Sequence, residues 1–314
     1  MSFGGGFLRF PDLFPGRRGG EPWGGRSLAL DVAGGPYLFS GLSAAQEDAI
    51  RRKLAGLCGE TATGGSVATQ VFRAPRADFL DFDVRGWEYT LDMDHSPATV
   101  RLVGLRLMAR LDWVPALSGG LWTPEEQGEE WTASVFENYL RVLTAYRLLE
   151  EDGAVLHSAG VTDGASAWML LGPSGAGKTT SSRLCLEQGG MVLSDDLNAI
   201  VLPSAGQGRA NLDRPRLVRL PFTGDLGERT GDAASYPLAA VLRLVKGTED
   251  RLQPISPAAA LAALVAAAPF VNKDPWRREA LLGVLERVAC SVPAYELVFS
   301  LNGRLWDILR AIQT

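Results

Sequence analysis

Apolar and polar positions follow different patterns in successive parts of the chain. Residues 1–26 are rich in Gly, Arg and Pro (GGG, PGRRGG, WGG) with no period, which predicts an irregular lead-in with Arg17 and Arg18 as solvated charge. From Ser27 to about Glu130 the pattern is mixed. Leu28–Val32 and Tyr37–Phe39 read as strands, Ala44–Cys58 has helical spacing, and Ser66–Arg73, Asp81–Asp92 and Thr99–Asp112 set β-branched and aromatic residues against polar ones. The expectation is an α+β domain over residues 27–130 with a largely antiparallel sheet, serving substrate recognition or presentation.

Glu130–Glu151 carries apolar residues at Val135, Leu140, Val142, Leu143, Tyr146 and Leu149, the spacing of a long amphipathic helix that Asp152-Gly153 stops. It leads into residues 131–314, where short apolar strands alternate with helices in the α/β manner. Ala154–Val161 and Ala167–Leu171 read as a hairpin around Thr162-Asp163-Gly164. Pro237–Val245 and Tyr295–Leu301 read as strands. Ser256–Ala268, opened by Ser256-Pro257, reads as a helix, as do Arg277–Cys290 and Arg304–Ile312.

Composition narrows the function classes. With 314 residues, 46% hydrophobic and 21% charged, the chain has material for two folded domains and is no disordered polymer. A net charge of −5 recommends neither a nucleic-acid nor a membrane partner. The start MSFGGGFLRF lacks a basic stretch followed by an apolar core, and the longest apolar run, Ala258–Val271, is broken by Pro269 and too short for a membrane span. A cytoplasmic location is expected. Cys58, Cys185 and Cys290 are odd in number and far apart, which argues against a disulfide framework or a zinc site, and Cys185 reads as a small buried residue. Asp92, Asp94 and His95 could form a metal cluster, but DMDHSP reads as a turn between strands.

The chemistry concentrates at residues 172–179, Gly-Pro-Ser-Gly-Ala-Gly-Lys-Thr, a full match to G-x-x-x-x-G-K-[ST]. The apolar Ala167–Leu171 precedes it and Thr180–Glu187 can run on as a helix. In such a loop consecutive backbone N–H groups surround phosphate oxygens, and the helix adds its positive end. Lys178, one of only 4 lysines against 27 arginines, would reach the β- and γ-phosphates, and Thr179 would offer its hydroxyl to Mg²⁺. Seventeen residues beyond Lys178, the apolar run Gly190–Ser194 ends in Asp195-Asp196, where an acidic partner to the loop is expected. One Asp could hold Mg²⁺ while the other accepts a proton from an attacking hydroxyl. His157, one of two histidines, closes the run before Ser158 and would lie on a strand beside the loop's own strand.

LHSAGV, GPSGAGKTT and LSDD, in this order and spacing, resemble the catalytic domain of the HPr kinase/phosphorylases. The resemblance is close over residues 150–205 and looser beyond. It implies the α/β fold of the HPr kinase and phosphoenolpyruvate carboxykinase type in the C-terminal domain. The N-terminal half and the ending YELVFSLNGRLWDIL look more like HPr-kinase-like proteins encoded beside peptide natural-product or exopolysaccharide genes, including kinases that modify lasso-peptide precursors. The resemblance implies ATP and Mg²⁺ as cofactors. Gly172, Pro173, Ser174, Gly175, Ala176, Gly177, Lys178, Thr179 and Thr180 would bind the ATP phosphates, and Thr179 with Asp195 or Asp196 the cation. Asp195 is expected to be the general base, with Asp196 assisting and His157 near the transferred phosphoryl group. The chain departs from the family in having no Arg-Gly-Leu-Gly segment; Arg216-Leu-Val-Arg219-Leu-Pro-Phe-Thr-Gly224 stands in its place. Reverse phosphorylase activity and HPr as substrate are therefore not expected, while Arg219, or Arg216, would neutralise the phosphoryl charge. The function implied is an ATP-dependent kinase acting on a hydroxyl, with a serine of a peptide or protein, such as a natural-product precursor, as acceptor and homo-oligomers left open. The alternatives are a kinase of free serine or a sugar, and a non-catalytic nucleotide-binding regulator.

Overall fold

The computed structural model describes residues 20–59, 66–79, 91–104, 106–125, 129–203, 214–222, 224–226, 235–300 and 304–312. The chain packs as two compact units that meet in sequence between Leu143 and Thr144.

The first unit is built on one mixed sheet. Its elements are β1 (Glu21–Pro22), β2 (Arg26–Leu30), β3 (Tyr37–Leu42), α1 (Ala44–Lys53), β4 (Cys58–Gly59), β5 (Val67–Ala74), β6 (Asp92–His95), β7 (Thr99–Gly104), β8 (Leu107–Asp112) and β9 (Ser118–Pro124). The spatial order is β4-β2-β3-β5-β9-β8-β7-β6, with β1 beside β5. The sheet is largely antiparallel, as the sequence suggested, but at its centre β3, β5 and β9 are parallel, which the sequence did not suggest. The reason is that α1 intervenes between β3 and β5, and a parallel pair needs such a crossover. Ser43 and Gln46 cap α1 reciprocally, each side chain taking the other's backbone N–H. The helix ends at Lys53, short of Cys58, and Gly56 turns the chain with φ +86°.

Thr99–Asp112 is two paired strands, with Arg106 at φ 56° in the turn. Asp92–His95 is a strand on β7, not a turn; the turn is the next segment, where Ser96 Oγ accepts the Thr99 N–H at 3.0 Å. Asp94 pairs with Arg101 there, and among the described residues no three His, Cys, Asp or Glu side chains are grouped to hold a metal. Most of the expected lead-in, with Arg17 and Arg18, and most of the expected strand Asp81–Asp92 lie outside the described residues. Of the lead-in, Glu21–Pro22 is part of the sheet.

Helix α2 (Glu129–Glu150) crosses the division between the units, which falls inside it rather than at residue 130. In the first unit its Phe136 and Tyr139 rings meet Phe39 edge-on at 5.3 and 6.2 Å. Tyr139 Oη also shares a hydrogen bond of 3.0 Å with Thr69 Oγ1, in a space that any side chain at Gly119 would invade.

The second unit contains β10 (Gly153–His157), β11 (Ala159–Thr162), β12 (Ala167–Leu171), α3 (Lys178–Glu187), β13 (Met191–Ser194), β14 (Leu197–Val201), β15 (Arg216–Arg219), β16 (Ser235–Lys246), β17 (Arg251–Pro254), α4 (Pro257–Ala267), α5 (Arg278–Ser291), β18 (Ala294–Phe299) and α6 (Leu305–Ala311). The strand order is β10-β14-β15-β16-β12-β11-β13, with β18 on β16 and β17 on β18. Strands β12, β16 and β18 are parallel. Leu170, Leu242 and Leu297 from these three pack in one core with Cys185 of α3 and Trp306 of α6.

The expected hairpin is corrected here. Residues 154–161 break at Ser158 into two strands with different partners: β10 pairs with β14, and only β11 pairs with β12. Ser158 has its backbone satisfied elsewhere. Its N–H donates to Asp196 O at 3.0 Å, and its carbonyl accepts from the Asn198 amide at 2.9 Å. His157 therefore does not lie on the strand next to β12. Among the described residues no helix is long and apolar enough to cross a membrane.

Candidate functional site

Strand β12 is buried throughout and ends at Leu171, where the glycine-rich segment begins. Two glycines carry the turn: Gly175 at φ +76° and Gly177 at φ +106°, conformations that a residue with a Cβ adopts only under strain. Gly177 caps α3, and Ser181 N–H returns to its carbonyl at 2.7 Å. A Cβ on Gly177 would also stand 2.6 Å from the Phe299 ring of β18. Pro173, Ser174 and Gly175 are exposed, Ala176 is buried, and Thr180 is half-buried in the first turn of α3.

Lys178 leaves 7% of its surface exposed. Its ammonium donates to Gly172 O at 2.9 Å and Pro173 O at 3.4 Å, so it is folded against the loop's own carbonyls. Burial pulls its pKa below the ordinary lysine value, while the charges of Asp196 and Asp195 push it back up. Those carboxylates arrive from β13. Strand β11 is antiparallel to both β12 and β13, so the last two run the same way and end at the same edge. Asp195-Asp196 is the two-residue link from β13 to β14 at that edge.

The two carboxylates differ in surroundings. Asp195 is 7% exposed; its Oδ1 accepts the Leu226 N–H at 3.5 Å, and its buried Oδ2 has no hydrogen-bond partner among the described residues. Asp196 Oδ1 lies 3.1 Å from His157 Nδ1, and the His157 side chain is 47% exposed. His157 faces Leu197 across the β10–β14 ladder. One rung on, Leu156, Asn198 and Arg219 are successive partners across three strands, which brings Arg219 to the same end of the sheet on the opposite face from His157. Arg216 is three residues back along β15 and donates to Ser235 Oγ at 2.8 Å.

Two participants have no sequence signal that could single them out. Asp225 accepts the Thr179 hydroxyl proton through Oδ2 at 3.3 Å. Asn198 holds Ser158, and so the path of the chain between His157 and β11. Neither stands at a spacing that marks a motif; the fold alone brings them in. A separate cavity of about 500 Å³ lies by the β11–β12 turn, at the other end of β12 from the glycine-rich loop, lined by Asp163, Ser166, Trp168, Asp307 and Arg310 among others.

Fold and site together define a mixed α/β protein in which a glycine-rich strand–loop–helix segment faces paired carboxylates. Residues 125–313 match the model of the family described as SynChlorMet cassette protein ScmC, and the chain belongs to that family. No curated protein matches it.

Proposed function

We propose that the chain is an ATP-dependent kinase, similar to the HPr kinases, that transfers the γ-phosphoryl group to the hydroxyl of a serine in a peptide or protein. The observation that carries this reading is Asp195, a carboxylate buried beside Lys178's loop with one oxygen unsatisfied. A buried anionic oxygen without a partner is costly in a folded protein. A site that receives a cation or the proton of a bound hydroxyl there removes that cost.

Each neighbouring group then has a task. The backbone N–H groups of residues 175–180 bind phosphate oxygens. Lys178 exchanges the carbonyls of Gly172 and Pro173 for β- and γ-phosphate oxygens, and the polyanion offsets the burial of its charge. Thr179 and Asp195 or Asp196 fit Mg²⁺, which neutralises phosphate charge when bound; with no metal-holding group of three among the described residues, the remaining ligands are phosphate oxygens and water. Asp195 takes the proton of the attacking hydroxyl and Asp196 holds His157 beside the acceptor, while Arg219, on the opposite face of the sheet from His157, is left out of the reading. The first unit recognises or presents the acceptor, and the reading puts the chain in the cytoplasm.

The test follows γ-labelled ATP with Mg²⁺ into a panel of serine-containing peptides, HPr and free serine. Label is expected on a peptide, and lost in Lys178→Ala and in Asp195→Asn. Label on free serine would move the reading to a small-molecule kinase. Nucleotide bound tightly with no transfer to any acceptor, including neighbouring gene products, would replace it with a nucleotide-gated regulator.

A further inference from the structure

We infer that Asp225 is the positioning carboxylate of the cation-binding threonine, an assignment that rests on the kinase reading above. A threonine hydroxyl has one proton to give and two lone pairs to receive with. Thr179 gives its proton to Asp225 Oδ2 at 3.3 Å, which leaves both lone pairs for a cation. A carboxylate accepting that proton also makes the hydroxyl oxygen a more basic ligand, as outer partners of metal ligands do.

The residues on either side of Asp225 act on the other half of the same site. Leu226 N–H reaches Asp195 Oδ1 at 3.5 Å, and Gly224 lies so close against that carboxylate that any side chain there would collide with it. Gly224–Leu226 is thus a short strap that holds Thr179 with its side chain and Asp195 with its backbone. The independent sign that a ligand belongs between them is the buried, partnerless Oδ2 of Asp195. The donors are all oxygens, which suits a hard divalent cation. They are too few to hold it alone, since no metal-holding group of three is found among the described residues. On the kinase reading a polyphosphate and water complete the cation's shell, and Asp225 acts on the cation's share of the cation–polyphosphate pair.

The experiment titrates Mg²⁺ against the full chain by calorimetry, with ADP as the probe, and repeats the ADP titration in EDTA. Asp225→Ala is expected to raise the Mg²⁺ concentration needed for half its effect about ten-fold, and to leave ADP affinity in EDTA undiminished. Thr179→Val should give a similar rise, and the double variant no further one, because Asp225 acts through Thr179. An unchanged Mg²⁺ requirement in Asp225→Ala overturns the assignment. So does an equal loss with and without Mg²⁺, which marks a merely structural residue, or losses that multiply in the double variant. If the unaltered chain binds no ADP with Mg²⁺ present, the kinase reading itself falls and this assignment falls with it; ADP binding that ignores Asp225 removes this assignment only.

Discussion

Gly175 and Gly177 stand two residues apart in left-handed backbone, yet their surroundings differ. Nothing lies near a Cβ on Gly175, so Gly175→Ala should cost only its backbone strain, about 1–2 kcal/mol. Gly177→Ala adds a collision with Phe299 to the same strain, and its urea midpoint should fall further. Equal midpoints would show that the ring gives way freely. The cysteines are a second residue-scale case. Cys185 is buried and its thiol is pushed up to about 12 by burial alone, Cys58 is half-buried and also raised, and Cys290 is exposed. The thiolate is the reactive form, so alkylation at pH 8 followed by mass spectrometry should label Cys290 first and Cys185 last. At this scale the sequence was legible where chemistry is local: Lys178 and Thr179 are marked by their own neighbours. Asp225 and Asn198 were not, because each acquires its role from a partner 46 or 40 residues away.

Helices were the most legible elements. The α4 start shows why: Ser256 accepts the Ala259 N–H and Pro257 follows it, a signal contained in four residues. Ser256→Ala should lower stability by about 0.5–1 kcal/mol, read from a urea transition. The break at Ser158 was not legible, since AVLHSAGV holds no Gly-Pro or Asx turn and the interruption is made by Asn198 and Asp196. The parallel centre of the first sheet was hidden likewise, because strand direction is not written in alternation. Helix α2 adds a pH prediction, as it supplies one buried tyrosine to each unit. Burial raises the Tyr139 pKa; for Tyr146 burial, the charge of Asp274 and the bond donated to it all raise it. A raised folded pKa means stability is fully present below the unfolded value of about 10 and lost as pH climbs above it. Between pH 9 and 11 the unaltered chain should weaken, and Tyr139→Phe and Tyr146→Phe should each flatten the decline. A decline identical in all three would show that these phenols are not its source.

At the scale of the whole molecule, the matched stretch 125–313 takes in all of α2 and the second unit up to its last residue but one. That strands and helices both build this unit was legible, and so was the presence of two units. The expected alternation is not what the chain does, since among the described residues β13 to β17 follow one another with no helix between them. The meeting point of the units was not legible, because a helix that serves both carries no break in its pattern. Strand β16 holds the second unit together, with parallel partners β12 and β18 sharing residues 241–243. Those amides should be the slowest of the unit to exchange with deuterium; faster exchange there than in β10 would contradict that centre. Trp168 of β12 and Trp306 of α6 meet edge to face at 5.5 Å within this core. Two indoles so close share their excited states, and an exciton couplet should stand out in the circular dichroism spectrum. Since Trp168 belongs to the strand that leads into the glycine-rich loop, the protein carries an optical gauge of that strand's seating, readable without any added dye.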